Sequence, residues 1–257
     1  MTSAALRKDP PRADRGDRRP LGLPIAPGFG RSMREEVHER LRDAILSVRL
    51  MPGQAVSENE IVDMLQVSRT PVREALQRLA NEGLIHVVPQ VGTFVARMDL
   101  ARIREALFMR EAIECAALVR IPAKPGKDDL DGLRGIVAAH RRATRAGDAA
   151  GIFAADDAFH RMLLDLAGIP GVWRYVREAR EMHRRVRALS HAEYDSARRS
   201  VAQHAAVVAE LAAGRRTGAI DILRDHIRMN AGLAEDMARK HPDYFIAEGS
   251  PLRQAPP

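Results

Sequence analysis

Ser57 and Ser68 each open a helix, and the stretch between them holds only about two helical turns and a tight connection. No other feature restricts the fold of this chain as much. Ser57-Glu58-Asn59-Glu60 is a capping box, in which the Ser57 hydroxyl accepts from the Glu60 amide and the Glu60 side chain reaches back. Ile61, Met64 and Leu65 supply the buried face of that short helix. Past Val67, Ser68 is a second N-cap and Pro71 falls in the first turn, where its missing N–H is harmless. Val72, Leu76 and Leu79 then carry an apolar stripe until Gly83 stops the helix. Upstream, Val37, Leu41, Ala44, Ile45 and Val48 recur at helical spacing before Pro52-Gly53 turns the chain. Downstream, residues 84–88 and 93–95, joined through Pro89-Gln90-Val91-Gly92, predict a β-hairpin. Three helices and a hairpin within 32–97 predict a winged helix-turn-helix.

The rest of the chain reads as helix. Breaks at Pro122 with Pro125-Gly126, at Gly147, at 168–171, around His191 and at Gly214 delimit helices over about 100–120, 128–146, 148–167, 172–190, 196–213 and 217–239. Residues 98–240 are therefore expected to form a helical bundle, and the fold class is mostly α. Five prolines and four glycines in 1–31 predict a disordered basic tail, and 241–257 reads as a flexible C-terminal tail. No apolar run is long enough to cross a bilayer, no signal peptide opens the chain and Cys115 is the single cysteine, so the expected setting is a reducing cytoplasm without membrane contact. Net charge is +7, but residues 32–96 carry 7 basic and 9 acidic side chains, so bulk charge does not locate a nucleic-acid site.

Side-chain placement locates one instead. In a helix-turn-helix the second helix enters the major groove N-terminus first. Here that terminus is Ser68-Arg69-Thr70-Pro71-Val72-Arg73, and Arg69 and Arg73, four residues apart, share the face opposite Val72, Leu76 and Leu79. A guanidinium binds guanine O6/N7 or a phosphate bidentately. The alternative is that Arg73 merely pairs with nearby acids.

Residues 33–97 resemble the DNA-binding domain of GntR-family bacterial transcriptional regulators. The resemblance is carried by Leu50-Met51-Pro52-Gly53, Ser57-Glu58, the run from Val67 to Leu76, Glu82-Gly83-Leu84 and Gly92-Thr93-Phe94-Val95. It implies that Arg69 and Arg73 contact operator bases or phosphates, that Thr70 touches backbone or base, and that the hairpin tip at Gln90 and Gly92 lies at the minor groove. Asn59 stands where many relatives carry an arginine that also reaches DNA, so a phosphate contact there is weakened.

A second constellation lies in the bundle. Asp156 and His160 share the stripe of Phe153, Leu163 and Ala167, so both point inward, where an ionised carboxylate needs a cation or a donor. His204 lies in the stripe of Val201, Val208 and Leu211, and His226 in that of Leu223, Asn230 and Leu233. Their midpoint falls in the turn at 214–217, so in an antiparallel hairpin the two imidazoles stand at one height. Three imidazoles and a carboxylate suit a divalent ion, Zn²⁺, Ni²⁺, Mn²⁺ or Fe²⁺. Any one of these histidines alone reads better as a hydrogen-bonded core residue, and His183 or Asp157 can replace a proposed ligand.

The bundle resembles the FCD effector domain of the FadR subgroup, whose metal-binding members show an Asp-x-x-x-His pair and two later histidines, matched here by Asp156, His160, His204 and His226. Gln203 departs from the Glu that commonly precedes the third ligand. The family also places an effector-binding arginine where Arg110 stands, although a plain Arg110–Glu114 ion pair is an equal reading of these residues. The expectation is thus a homodimeric repressor that binds double-stranded operator DNA and responds to a small carboxylate effector at a metal site. The other readings are a metal sensor without organic effector and a metallohydrolase fused to a DNA-binding head, with Asp157 as its base.

Overall fold

A computed structural model describes residues 32–193 and 196–247, and the tail expected at 1–31 and the chain beyond 247 lie outside the described residues. The chain divides into two compact units that join at Ala96 and Arg97. The first contains α1 (Met33–Leu46), β1 (Ala55–Val56), α2 (Glu58–Leu65), α3 (Arg69–Asn81), β2 (Ile85–Val88) and β3 (Gly92–Val95).

Ser57 caps α2 as expected, its hydroxyl accepting from the Glu60 amide at 3.4 Å. The turn into α3 needs a left-handed residue, and Gln66 fills it at φ 55° while its side-chain amide donates to the Asp63 carbonyl at 2.6 Å. Ser68 holds the N-cap position of α3 but makes no side-chain capping bond. Val72, Ala75 and Leu79 bury the inner face of α3 against Ile61 and Leu65 of α2 and Leu41 and Ile45 of α1. Burying a leucine or valine side chain contributes about 1.5–3 kcal/mol, so this stripe fixes which face of α3 stays outward. Gly83, at φ 68°, ends the helix and lets the chain enter the hairpin.

The hairpin gains a third strand that no sequence signal announces. β1 pairs antiparallel with β3, Ala55 opposite Phe94, giving a sheet ordered β1-β3-β2. Two residues after Pro52-Gly53 are too few to show alternation, which is why they read as loop.

The second unit contains α4 (Leu100–Arg120), α5 (Lys127–Ala146), α6 (Ala149–Leu166), α7 (Trp173–Met182), α8 (Arg184–Glu193), α9 (Ser196–Ala212) and α10 (Arg216–Lys240). α4 packs against α10 and α7, α5 against α6 and α9, and α9 against α10. Asp99 caps α4, accepting from the Ala101 amide at 2.9 Å. Two expectations are corrected. The single helix expected over 172–190 is two helices broken at His183, whose backbone leaves the helical region at φ −103° and ψ 5°. The break carries neither Gly nor Pro; it is stabilised by the His183 ring, which donates from Nδ1 to the Ala179 carbonyl at 3.2 Å. The boundary expected at His241 also moves. Residues 242–244 form a 3-10 turn, Phe245 is buried, and the Ile246 amide donates to the Met98 carbonyl at 2.9 Å.

Candidate functional site

The outward face of the first unit is polar. Asn59, Ser68, Arg69, Thr70, Arg73, Gln90 and Gly92 are all exposed. The inner stripe of α3 dictates this for Arg69 and Arg73, and the hairpin turn dictates it for Gln90, held at φ 62° after Pro89 while the Val91 amide donates to Val88 at 3.0 Å. Arg73 is paired: its Nε donates to both carboxylate oxygens of Glu58 at 3.1 and 3.0 Å, tying the second turn of α3 to the first turn of α2. The Arg73 side chain nevertheless remains 67% exposed. Exposed pairs of this kind are worth about 0–1 kcal/mol, so the pairing is easily exchanged.

In the second unit α6, α9 and α10 bring Asp156, His160, His204 and His226 together, each offering a ligand atom within 4.8 Å of the others'. All four are buried, and the imidazole centroids lie 4.7 to 5.3 Å apart. Three of the atoms in the cluster are unpaired. His160 Nε2, His204 Nε2 and Asp156 Oδ1 have no hydrogen-bond partner, although a buried unpaired polar atom costs about 1–3 kcal/mol.

The outward atoms of His160, His226 and Asp156 are held. His160 Nδ1 donates to Glu114 Oε2, and Glu114 in turn accepts from Arg110 Nε at 2.7 Å. His226 Nδ1 donates to the Gln203 side-chain oxygen at 3.0 Å, so the departure from Glu at 203 leaves an acceptor in place. Asp156 Oδ2 accepts from Arg180 and from Arg187, the latter at 2.7 Å. Fixing the outer nitrogen of a histidine in this way presents the inner one as a lone pair, the arrangement found around metal-bound imidazoles. Burial pushes the pKa of His160, His204 and His226 down, which favours the neutral imidazole that a cation needs. Burial alone would raise Asp156, yet Arg187 and Arg180 hold its carboxyl well below the usual range, so it is an anion. Four buried donors, three of them with an unpaired inner atom and three with a tethered outer one, fit a divalent cation.

The substitutes considered from sequence stand elsewhere. The Asp157 side chain is 45% exposed and accepts from Arg180 Nε at 2.8 Å. His183 turns its Nε2 to Arg110, accepting from a guanidinium nitrogen at 3.2 Å. Arg110 is thus engaged by both Glu114 and His183, with one terminal nitrogen unpaired. Sequence reasoning missed Arg180 and Arg187, because arginine is ordinarily a surface residue; only their spacing with Val176, Ala179 and Val186 marks them as inward.

Comparison with known proteins gives both units a family. Residues 33–95 match the family described as bacterial regulatory proteins, gntR family, and residues 105–229 match the FCD domain. Over 227 residues the chain is 36% identical to an uncharacterized HTH-type transcriptional regulator in an unstable DNA locus of Streptomyces ambofaciens, covering 88% of this chain and 95% of that protein. The chain belongs to the gntR family of bacterial regulatory proteins. This gntR-family regulator is also 27% identical over 214 residues to the HTH-type transcriptional repressor RspR of Escherichia coli K12, covering 83% of this chain and 94% of that one. Among solved structures, a transcriptional regulator GntR from Rhodococcus sp. RHA1 superposes with a TM-score of 0.64 at 26% identity, over 80% of this chain and 99% of the other. The protein is therefore a transcriptional regulator with a winged helix-turn-helix DNA-binding unit and an FCD helical unit. Among the described residues no helix is long and apolar enough to cross a membrane.

Proposed function

We propose that this regulator is a homodimeric, cytoplasmic repressor whose operator affinity is set by a small carboxylate effector bound beside a divalent metal in the FCD unit. The observation that carries the reading is the ring of unpaired inner atoms on Asp156, His160 and His204. The metal would supply a fixed positive charge able to take further oxygen ligands. Charge balance supports an acidic effector. The guanidiniums of Arg110, Arg180 and Arg187 are matched by Glu114, Asp156 and Asp157, so the two charges of a metal would be left to an incoming anion. The unpaired terminal nitrogen of Arg110 is a donor for a carboxylate. Glu114 and Arg110 both sit on α4, which follows β3 after four residues, so the helix that holds the site is continuous in sequence with the DNA-binding unit.

Arg110→Lys keeps a charge beside Glu114 but loses the planar fork. With metal bound, calorimetry over a panel of small organic acids is expected to find an effector whose affinity falls about 10- to 100-fold in the variant, as losing hydrogen bonds to a charged group predicts. Operator binding without effector stays unchanged. An effector bound equally well by Arg110→Lys returns Arg110 to its structural pairing.

One observation favours a direct metal sensor: Arg110 is already held at two of its three nitrogens. The two readings part when operator affinity is measured with metal alone, since a sensor responds without any acid. For the hydrolase reading, the base it would use, Asp157, is engaged by Arg180.

Dimerisation is proposed through α4. Phe108 is 77% exposed and Val119 55%, with Met109 beside them, an apolar strip flanked by Glu111, which pairs with Arg228 and Arg224. Such a strip suits a self-complementary contact in which each copy covers the other's. Phe108→Glu is expected to shift the sedimentation coefficient from dimer to monomer at micromolar concentration; an unchanged value would place the interface elsewhere.

A further inference from the structure

One imidazole of the bundle has no place in the metal reading. His140, on α5, has no exposed surface, and neither of its ring nitrogens has a hydrogen-bond partner. Its ring centroid lies 5.4 Å from that of His204, with the planes tilted by 47°. His204 is itself the exception among the four clustered residues. His160 has Glu114, His226 has Gln203 and Asp156 has two arginines as outer partners, whereas the outer nitrogen of His204, Nδ1, has none. Its Nε2 faces the cluster, 3.6 Å from Asp156 Oδ1. Phe159 stacks on the His204 ring at 3.9 Å between centroids, and a phenyl group accepts no ordinary hydrogen bond.

We infer that His140 is the outer partner of His204, accepting the Nδ1 proton and so holding Nε2 as a lone pair toward the cluster. A neutral imidazole carries one proton, and when one nitrogen faces a cation the proton resides on the other, which when buried needs an acceptor. His140 brings an unpaired nitrogen lone pair to the neighbouring ring, directly or through one bridging water. The bond would satisfy an orphaned donor and an orphaned acceptor together. His140 is a positioning residue here, acting on the site through His204. The consequence is architectural: every ligand then has an outer partner on a different helix, with α5 added to α4, α7, α8 and α9.

The metal consequence rests on the reading proposed above, while the pairing itself does not, so two measurements are made. The first is the ¹⁵N chemical shifts of the His204 ring at neutral pH in the full chain stripped of metal. Protonation at Nδ1, lost or redistributed in His140→Phe and recovered in His140→Gln, supports the pairing; a His204 ring protonated at Nε2 in the unaltered protein overturns it. The second is Zn²⁺ affinity by competition with a chromophoric chelator. His140→Phe is expected to weaken it about 10- to 100-fold, the usual effect of removing an outer partner, and His140→Gln to recover most of it. Equal affinity in His140→Phe and the unaltered chain overturns the inference. If the unaltered chain takes up no Zn²⁺, the metal reading fails, and the ring shifts alone decide the pairing. Should His140→Phe not fold, the shifts of the unaltered chain carry the test.

Discussion

His204→Ala together with His226→Ala is expected to empty the proposed metal site, lowering metal in protein purified without added metal from about one ion per chain to near none. Two of four ligands are removed, and the inner oxygen of Asp156 loses its remaining neighbour on α9, His204 Nε2 at 3.6 Å. Removing partners from a buried charge costs about 3–5 kcal/mol where nothing replaces them, so thermal stability should fall as well. Elemental analysis and a melting curve are the measurements. Full occupancy in the double variant would overturn the assignment of His204 and His226 as ligands. Proton linkage adds a second signature. Burial holds His160, His204 and His226 below their ordinary value of 6.5, so the unfolded chain binds protons there that the folded chain does not. The stability they confer is complete above pH 6.5 and is lost as the pH falls below it, with metal lost in the same direction. A melting temperature of the metal-loaded protein independent of pH between 7.5 and 5.5, on the order of one unit either side of that value, would contradict buried neutral ligands.

The contrast between what the sequence shows and what it hides follows from periodicity. Asp156 and His160, a helical turn apart on one stripe, are legible because a polar pair on an apolar stripe has few explanations. His204 and His226 are legible because a short turn fixes the register of α9 on α10. The outer partners are not. Glu114 reads from sequence as the neighbour of Arg110, and only the packing of α4 on α6 shows that its second oxygen holds His160. Arg180 and Arg187 stand on two helices that looked like one, because the break at His183 comes from a ring bonded to a carbonyl and not from Gly or Pro. His140 lies on a strongly amphipathic helix among Arg141, Arg142 and Arg145, where one histidine gives no sign of facing another from α9. In the first unit the helices and hairpin were readable, and β1 was not, because two residues are too short for any pattern.

On the DNA side, Arg69→Ala and Arg73→Ala are each expected to lower operator affinity by about 5- to 150-fold, the equivalent of roughly 1–3 kcal/mol for an arginine that reads a base bidentately. Arg69 is exposed at the first turn of α3. Arg73 must first leave Glu58, a surface pair worth at most about 1 kcal/mol, so the exchange for a guanine or phosphate is downhill. Glu58→Gln should consequently raise affinity slightly on every sequence, because it frees Arg73 and removes a negative charge next to the DNA. The kind of contact is separable by titration. If the arginine reads a base, the loss is confined to the operator and specificity relaxes at one position; if it binds a phosphate, affinity falls on all sequences and the salt slope drops by about one. Gel-shift titrations of the operator and of unrelated DNA at several salt concentrations distinguish the two. Unchanged binding in both alanine variants would remove α3 as the recognition helix, since its inner stripe of Val72, Ala75 and Leu79 leaves Arg69 and Arg73 as the side chains its leading turns turn outward with positive charge.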